Sequence, residues 1–294
     1  MLSYQTLSEL CRAAEEAGRS IAQTVLSDQA RQLEQEEQTL LGQMSARLQV
    51  MEESAQAGMD PELRSASGLS GGDGAKMGRY AKSGGLAGTF LNGAIARALA
   101  VSECNAAMGK IVAAPTAGSC GILPAALLSA LEAGRCVREQ AVMALFTAGG
   151  IGMVISNQAT LAGAEGGCQA ECGSAAAMTA AALTELGGGT PAQALHACAM
   201  ALKNQLGLVC DPVAGLVEVP CVKRNAAGVV IALSAAEMAL AGIESKIPAD
   251  ECISAMYQVG LSMPSTLRET AQGGLAATPT GLRLKREIFG ETES

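Results

Sequence analysis

Apolar and polar positions divide this chain into two stretches. Over residues 1–58 apolar residues are sparse and set in charged, Gln/Glu-rich surroundings such as Gln32-Leu-Glu-Gln-Glu-Glu-Gln. Thr6-Leu-Ser-Glu9 is a capping-box pattern and predicts a helix start, because hydroxyl and carboxylate can each satisfy a free backbone N–H. Ser27 or Asp28 is placed to cap a second helix, along which Leu33, Leu40, Leu41, Met44, Leu48 and Met51 recur close to helical spacing. The pattern predicts two amphipathic helices folding onto the main body or onto a partner, with a solvated helical arm as the alternative.

From residue 59 the pattern changes to long apolar runs separated by Gly-rich breaks. Pro61 closes the first stretch. Helix-like runs follow at 88–108, 123–133, 137–148, 174–186, 191–206, 221–242 and 248–263. The loops between them include 65–76, 114–121, 163–173, 211–220 and 268–274. No internal repeat or long linker interrupts the order. The expected fold is mainly α: a compact bundle of helices with Gly-rich loops converging on one site. The expected division is N-terminal helices over 1–58 and one main domain over 59–294.

Composition supports helices and narrows the chemistry. Hydrophobic residues make up 49% of the chain and aromatics 2%, with no Trp and 35 Gly. The apolar content is mostly Ala, Leu, Val and Met, which suits closely packed helices better than sheets. Two runs, Ala141–Ala164 and Ala226–Ile243, are long enough to raise the question of a membrane. Ser156-Asn-Gln and Glu237 interrupt them, and flanking aromatic belts and basic loops are absent, so they read as buried helices of a soluble domain. A net charge of −8 argues against nucleic-acid binding. The single His, His196, lies in an apolar helical run and reads as a packed or surface residue. It leaves no basis for a His-rich zinc site or a Ser-His-Asp triad. The opening Met1-Leu-Ser-Tyr-Gln lacks the features of a signal peptide, so a cytoplasmic location is expected. Ten cysteines there point to reduced thiols with metal or catalytic use.

Three cysteines stand in unusual Gly- and Pro-rich surroundings: Cys168, Cys210 and Cys221, spaced 42 and 11 residues apart. Three thiolates can hold an iron–sulfur cluster with one iron open, and such an iron is a Lewis acid. Ordinary buried cysteines are the competing explanation. No spacing rule selects these three from the other seven, and Cys172, four residues after Cys168, is an equal candidate. Cys221 would open a helix, which favours a thiolate.

The loops offer anion-holding groups. Ser65-Ala-Ser-Gly-Leu-Ser-Gly-Gly-Asp-Gly-Ala-Lys76 resembles a phosphate loop but lacks the Gly-Lys-Ser/Thr ending. Gly150-Ile-Gly-Met-Val lacks the third Gly of a dinucleotide fingerprint. Nucleotide binding is therefore not expected. Ser67, Ser70 and Gly71, the turn Thr116-Ala117-Gly118-Ser119, and Arg224 with Asn225 could supply donors to a small carboxylate, or could be plain turn chemistry.

Seven phrases, in this order, resemble the α chain of the iron–sulfur-dependent L-serine dehydratases. They are Ser67-Gly-Leu-Ser-Gly-Gly-Asp, Glu103-Cys-Asn-Ala-Ala-Met-Gly, Ala114-Pro-Thr-Ala-Gly-Ser, Gly163-Ala-Glu-Gly-Gly-Cys-Gln, Gly207-Leu-Val-Cys-Asp-Pro-Val-Ala-Gly, Val219-Pro-Cys-Val-Lys-Arg-Asn and Arg268-Glu-Thr-Ala-Gln-Gly-Gly-Leu. The resemblance spans roughly residues 60–280 and implies deamination of L-serine to pyruvate and ammonia without pyridoxal phosphate. It implies a [4Fe–4S] cluster on Cys168, Cys210 and Cys221, choosing Cys168 over Cys172, with the open iron acting on the serine hydroxyl. A base must also remove the Cα proton. Lys76, Glu165, Lys203, Lys223 and activated hydroxyls are the candidates. Single-chain relatives carry a second, regulatory domain, and some end in a cysteine that caps the open iron. This chain ends Gly290-Glu-Thr-Glu-Ser, so no such cap is expected, and the regulatory domain is expected on a separate β subunit of a hetero-oligomer. Two rival roles for the same thiols are an iron–sulfur redox or oxygen sensor, against which the anion-holding loops argue, and a structural three-Cys metal subunit.

Overall fold

The Ala-rich segment Ser174–Leu186 forms the helix around which the others assemble. Every residue from Ser174 to Thr184 is buried. Alanine has the highest helix propensity and the least bulk, so four neighbouring helices can approach this one closely. In order, the helices are α1 (Leu7–Glu16), α2 (Ile21–Leu33), α3 (Glu37–Ala57), α4 (Asp73–Ala81), α5 (Gly88–Ala106), α6 (Ile122–Glu132), α7 (Arg138–Gln158), α8 (Gly163–Gly166), α9 (Ser174–Leu186), α10 (Pro191–Lys203), α11 (Cys221–Leu240), α12 (Ala249–Ser262) and α13 (Pro279–Phe289). Helix α9 packs on α6, α7, α10 and α11, and α11 also packs on α5. On α7, Gly152 packs against the Met178 side chain on α9, to which a Cβ there would come within 2.8 Å. This computed structural model describes residues 3–290. The ends on which the leader and capping-cysteine expectations partly rest, Met1-Leu2 and Glu291–Ser294, lie outside the described residues. Among the described residues there is no β-strand, only a single parallel bridge between Cys210 and Arg268.

The fold is mainly α, as the pattern predicts, but the N-terminal stretch holds three helices rather than two. Thr6 and Glu9 form the predicted capping box of α1. Helix α2 is started by Ser20, whose hydroxyl and Gln23 form a second capping box, and not by Ser27 or Asp28. Asp28 lies in the middle of α2, 3% exposed, and accepts hydrogen bonds from Arg31 at 2.8 Å and Gln32 at 2.5 Å. Glu34, at φ 52°, ends α2 before α3 begins. The Leu and Met stripe of α3 faces the chain's own body: Leu40, Leu48 and Met51 are buried, and α3 packs on α5, α6 and α7. Those residues are therefore not free to dock on a second chain.

Helix α7 is, among the described residues, the one helix long and apolar enough to cross a membrane. Its apolar window is 67% buried within the fold, against α2, α3 and α9. His196 is half-buried, and its Nδ1 accepts from the Ser245 N–H at 3.2 Å. Helix α4 starts inside the stretch expected to be a loop. Its cap is remote: the buried Glu103 carboxylate on α5 accepts from the N–H groups of Asp73 and Gly74, each at 3.0 Å. That carboxylate occupies the helix N-terminus where an anion would otherwise bind. All ten cysteines are unpaired and buried.

Candidate active site

Three separate loops carry Cys168, Cys210 and Cys221 to one buried place, each at most 9% exposed. Cys221 is the first residue of α11, directly after a cis Val219–Pro220 bond. Cys210 is fixed by its backbone: its N–H donates to the Leu267 carbonyl at 2.9 Å and its carbonyl accepts from Glu269 at 2.7 Å. Cys168 precedes a π-turn, Gln169–Gly173, that runs into α9. Gln169 ties this loop to the Cys210 loop, its N–H donating to the Leu208 carbonyl and its Oε1 accepting from Gly207, both at 3.0 Å. Short π segments are rare and concentrate at functional sites. Among the described residues, no three Cys, His, Asp or Glu side chains converge closely enough to hold a single metal ion.

The electrostatics separate Cys168 from Cys172. The Cys172 thiol donates to Cys168, and the Arg224 guanidinium faces it, so Cys168 is held below the usual thiol range despite burial. Cys172 is pushed well above that range by the same hydrogen bond, by burial and by the charge on Cys168. Cys210 and Cys221 are both pushed up, first by burial and then by the Cys168 charge. Arg224 holds its place through the Val209 carbonyl at 2.7 Å and Asp211 at 2.8 Å. Asp211 in turn accepts from the Leu275 N–H at 2.8 Å, so Arg224 links α11 to two of the loops.

A carboxylate absent from the sequence-based candidates stands beside the thiols. Glu171, in the π-turn, accepts from Thr116 Oγ1 at 2.8 Å. A Cβ at Gly163 would lie 2.8 Å from its Oε2 and 3.1 Å from Cys210 Sγ, and a Cβ at Gly118 would lie 3.2 Å from its Oε1. Burial raises its carboxyl above the usual range; Thr116 opposes this and Glu269 adds to it. Its signal in the sequence is that it is the one acidic residue between Cys168 and Cys172.

The candidate substrate-binding residues are held by two separate sets of contacts. Thr116, Ala117, Gly118 and Ser119 form a 3₁₀ turn over Glu171, with Thr116 Oγ1 and Ser119 Oγ 3.0 Å apart. Asn225 clamps this turn through the Gly118 carbonyl and the Gly121 N–H, and also donates to the Cys221 carbonyl at 3.0 Å. The side chains of Arg224 and Asn225 are thus engaged in holding loops. Ser67 and Ser70 donate to the buried Glu218 carboxylate at 2.7 and 2.6 Å, which fixes their loop. Gly71, at φ 135°, could carry no Cβ, because one would lie 2.1 Å from the Leu63 carbonyl oxygen.

Each of the four base candidates bonds to a partner other than the three thiols. Lys76 and Lys223 are exposed and share Asp73, at 3.0 and 2.6 Å. Their hydrogen bonds and charges hold the Asp73 carboxyl below its usual range. Glu165 is exposed and accepts from Thr160 at 2.6 Å. Lys203 is held elsewhere, at 3.0 Å from Ser245 in the loop after α11.

The helical body thus buries three thiols beside an arginine and a carboxylate. Residues 16–276 match the family described as "Serine dehydratase alpha chain". The chain is 50% identical over 288 residues to the "Probable L-serine dehydratase, alpha chain" of Bacillus subtilis (strain 168), covering 98% of this chain and 96% of that one. It is 46% identical over 287 residues to the "L-serine dehydratase, alpha chain" of Peptoniphilus asaccharolyticus, covering 97% and 98%. It is 48% identical over 181 residues to the "L-serine dehydratase TdcG" of Escherichia coli (strain K12), covering 61% of this chain but 40% of that protein. The chain belongs to the serine dehydratase alpha chain family.

Proposed function

We propose that this chain is the catalytic subunit of an iron–sulfur L-serine dehydratase, converting L-serine to pyruvate and ammonia without pyridoxal phosphate. The carrying observation is that residues 42 and 11 apart in sequence, Cys168, Cys210 and Cys221, are assembled at one buried place beside Arg224. The donor set suits a [4Fe–4S] cluster. Thiolates are its natural ligands, and the three thiols are close enough that, besides burial, the charge on Cys168 pushes up both Cys210 and Cys221. Cys168, Cys210 and Cys221 would hold it, and its remaining iron would supply Lewis-acid assistance to the departing hydroxyl.

The chain's own residues prepare the site. Arg224 adds to the Cys172 thiol in holding Cys168 below the usual thiol range, and it holds the 209–211 segment in place. Asn225 holds the Thr116–Ser119 turn over the site, where backbone N–H groups of the turn can receive the substrate carboxylate. Glu218 fixes the Ser67–Gly71 loop. Burial excludes water from the thiols, which strengthens each of these interactions. Lys76 and Lys223 are exposed and both ion-paired to Asp73. The expected location is a reducing compartment such as the cytoplasm, in keeping with ten unpaired thiols.

The test is anaerobic reconstitution with iron and sulfide, with visible absorption and pyruvate release followed in one cuvette. Absorption with serine turnover supports the proposal. Absorption without turnover, with or without a β chain, favours a sensor or a structural metal subunit. The activity should be lost in air and recovered with ferrous iron and thiol. Full activity in chelator-treated apoprotein would overturn the cluster reading.

A further inference from the structure

We propose that the Glu171 carboxylate receives the α-ammonium group of the amino-acid substrate and so sets the preference for an amino acid over a hydroxy acid. The proposal rests on the dehydratase reading above and names the group that reads one end of its substrate.

Other well-buried carboxylates in this fold are already matched. Asp211 is paired with Arg224 and Asp28 with Arg31. Glu103 caps α4 through two N–H groups, and Glu218 accepts two serine hydroxyls. Glu171 has one neutral donor, the Thr116 hydroxyl, and its other oxygen, Oε2, points to the space beside Gly163. Among the described residues no Lys or Arg forms an ion pair with it. The nearby charge is of the same sign: Glu269, held at φ 65° in the loop that pins Cys210. A partly desolvated carboxylate facing another carboxylate is matched by a cation, and the chain does not supply one. L-Serine does, since its amino group is an ammonium at neutral pH.

The geometry puts that cation where the reaction needs it. Gly163 stands between Glu171 Oε2 and Cys210 Sγ, so a group bound to the carboxylate lies next to the thiols. Gly118 brings the Thr116–Ser119 turn to the same carboxylate from the other side. An amino acid held by its ammonium at Glu171 has its carboxylate within reach of that turn and its hydroxyl turned to the thiol side. Asp73 and Glu165 cannot take this role, since one is paired to two lysines and the other is exposed and bonded to Thr160.

The experiment uses the reconstituted holoenzyme, with its β chain if turnover requires one, and the Glu171→Gln variant. Glutamine keeps the shape and the Thr116 contact but removes the charge. The probes are L-serine and 3-hydroxypropionate, which has the same hydroxyl and carboxylate without the ammonium, with L-alanine as a non-reacting ammonium-bearing ligand measured by calorimetry. The expected result is a KM for serine and a Kd for alanine raised roughly 10- to 100-fold, the size of a lost charged hydrogen bond. The inhibition constant of 3-hydroxypropionate should stay within about twofold, well inside that loss, and the visible absorption should be unchanged. A fall in kcat alone, with serine and alanine binding unaltered, would overturn the proposal and make Glu171 a proton-transfer group. Equal weakening of all three ligands would also overturn it, as general damage. If the unaltered holoenzyme turns over no serine, the dehydratase reading itself fails and this proposal with it.

Discussion

The Asn225 side chain donates to the Gly118 carbonyl at 2.8 Å while its oxygen accepts the Gly121 N–H at 2.9 Å. One residue on the second turn of α11 therefore fixes both ends of the turn that lies over Glu171. Because α11 begins at Cys221, the same helix sets a thiol and the opposing loop. Removing the amide leaves the buried Gly121 N–H without its partner, a loss of about 1–3 kcal/mol. Asn225→Ala should lower unfolding free energy by about that much and cut kcat, while the visible absorption persists. Unchanged stability and turnover would refute the clamp.

Cysteine replacements separate the site from the core. Cys168→Ala, Cys210→Ala and Cys221→Ala should each abolish both the visible absorption and the activity. Cys11→Ala, Cys136→Ala and Cys252→Ala should keep both, since these thiols pack in the fold away from the three loops. Cys172→Ala should still load the cluster but less completely, because Cys168 loses its thiol donor. A fully active Cys210→Ala protein would sink the assignment.

How much of this was legible depends on where each signal lies. Ser174–Leu186 was readable to the residue because the helix former is local and Gly187 bounds it. The start of α4 was not, because its cap is Glu103, thirty residues away in sequence. The Ser20-x-x-Gln23 box was present as a local signal, but the more conspicuous Ser27-Asp28 pair lies inside the helix it was expected to start. The three cysteines drew notice from their surroundings, yet no spacing rule could join residues from three loops. The choice of Cys168 over Cys172 rests on the resemblance; in the structure the two thiols differ in that Cys168 is held below the usual range and Cys172 well above it. Arg224 and Asn225 were legible as polar residues at the site. That their side chains hold loops is decided by packing directions that a sequence does not contain.

Gly163 tests the geometry around Glu171 by size alone. Its backbone is ordinary, so alanine is resisted only by contact: 2.8 Å to Glu171 Oε2 and 3.1 Å to Cys210 Sγ. Gly163→Ala must shift one or both, and displacements near an ångström at a site can cost on the order of 10²-fold in rate. The expected outcome is a large loss of serine turnover with weakened visible absorption. Gly42→Ala is the control. It lies within α3 with nothing inside 4 Å of its new methyl, and it should raise stability by about 0.5–1 kcal/mol without changing activity. Wild-type turnover in Gly163→Ala would show that the space beside Glu171 is not used.

The final prediction concerns a second chain. The matched region of the Escherichia coli relative is 40% of that protein, so most of its length has no counterpart in the alignment. Two relatives matched over nearly their whole length are both named as alpha chains. We propose a separate β chain as the partner that those alpha-chain names imply. The α3 stripe is not its docking surface, because Leu40, Leu48 and Met51 are buried in the chain's own core. Contact must fall elsewhere, and the cluster ligands must all come from this chain if Cys168, Cys210 and Cys221 are the full protein set. The isolated chain should therefore take up the cluster unaided yet turn over serine weakly, with activity rising when the β chain is added and the two co-eluting. Identical kcat and KM with and without that chain, together with separate elution, would rule out the two-chain enzyme.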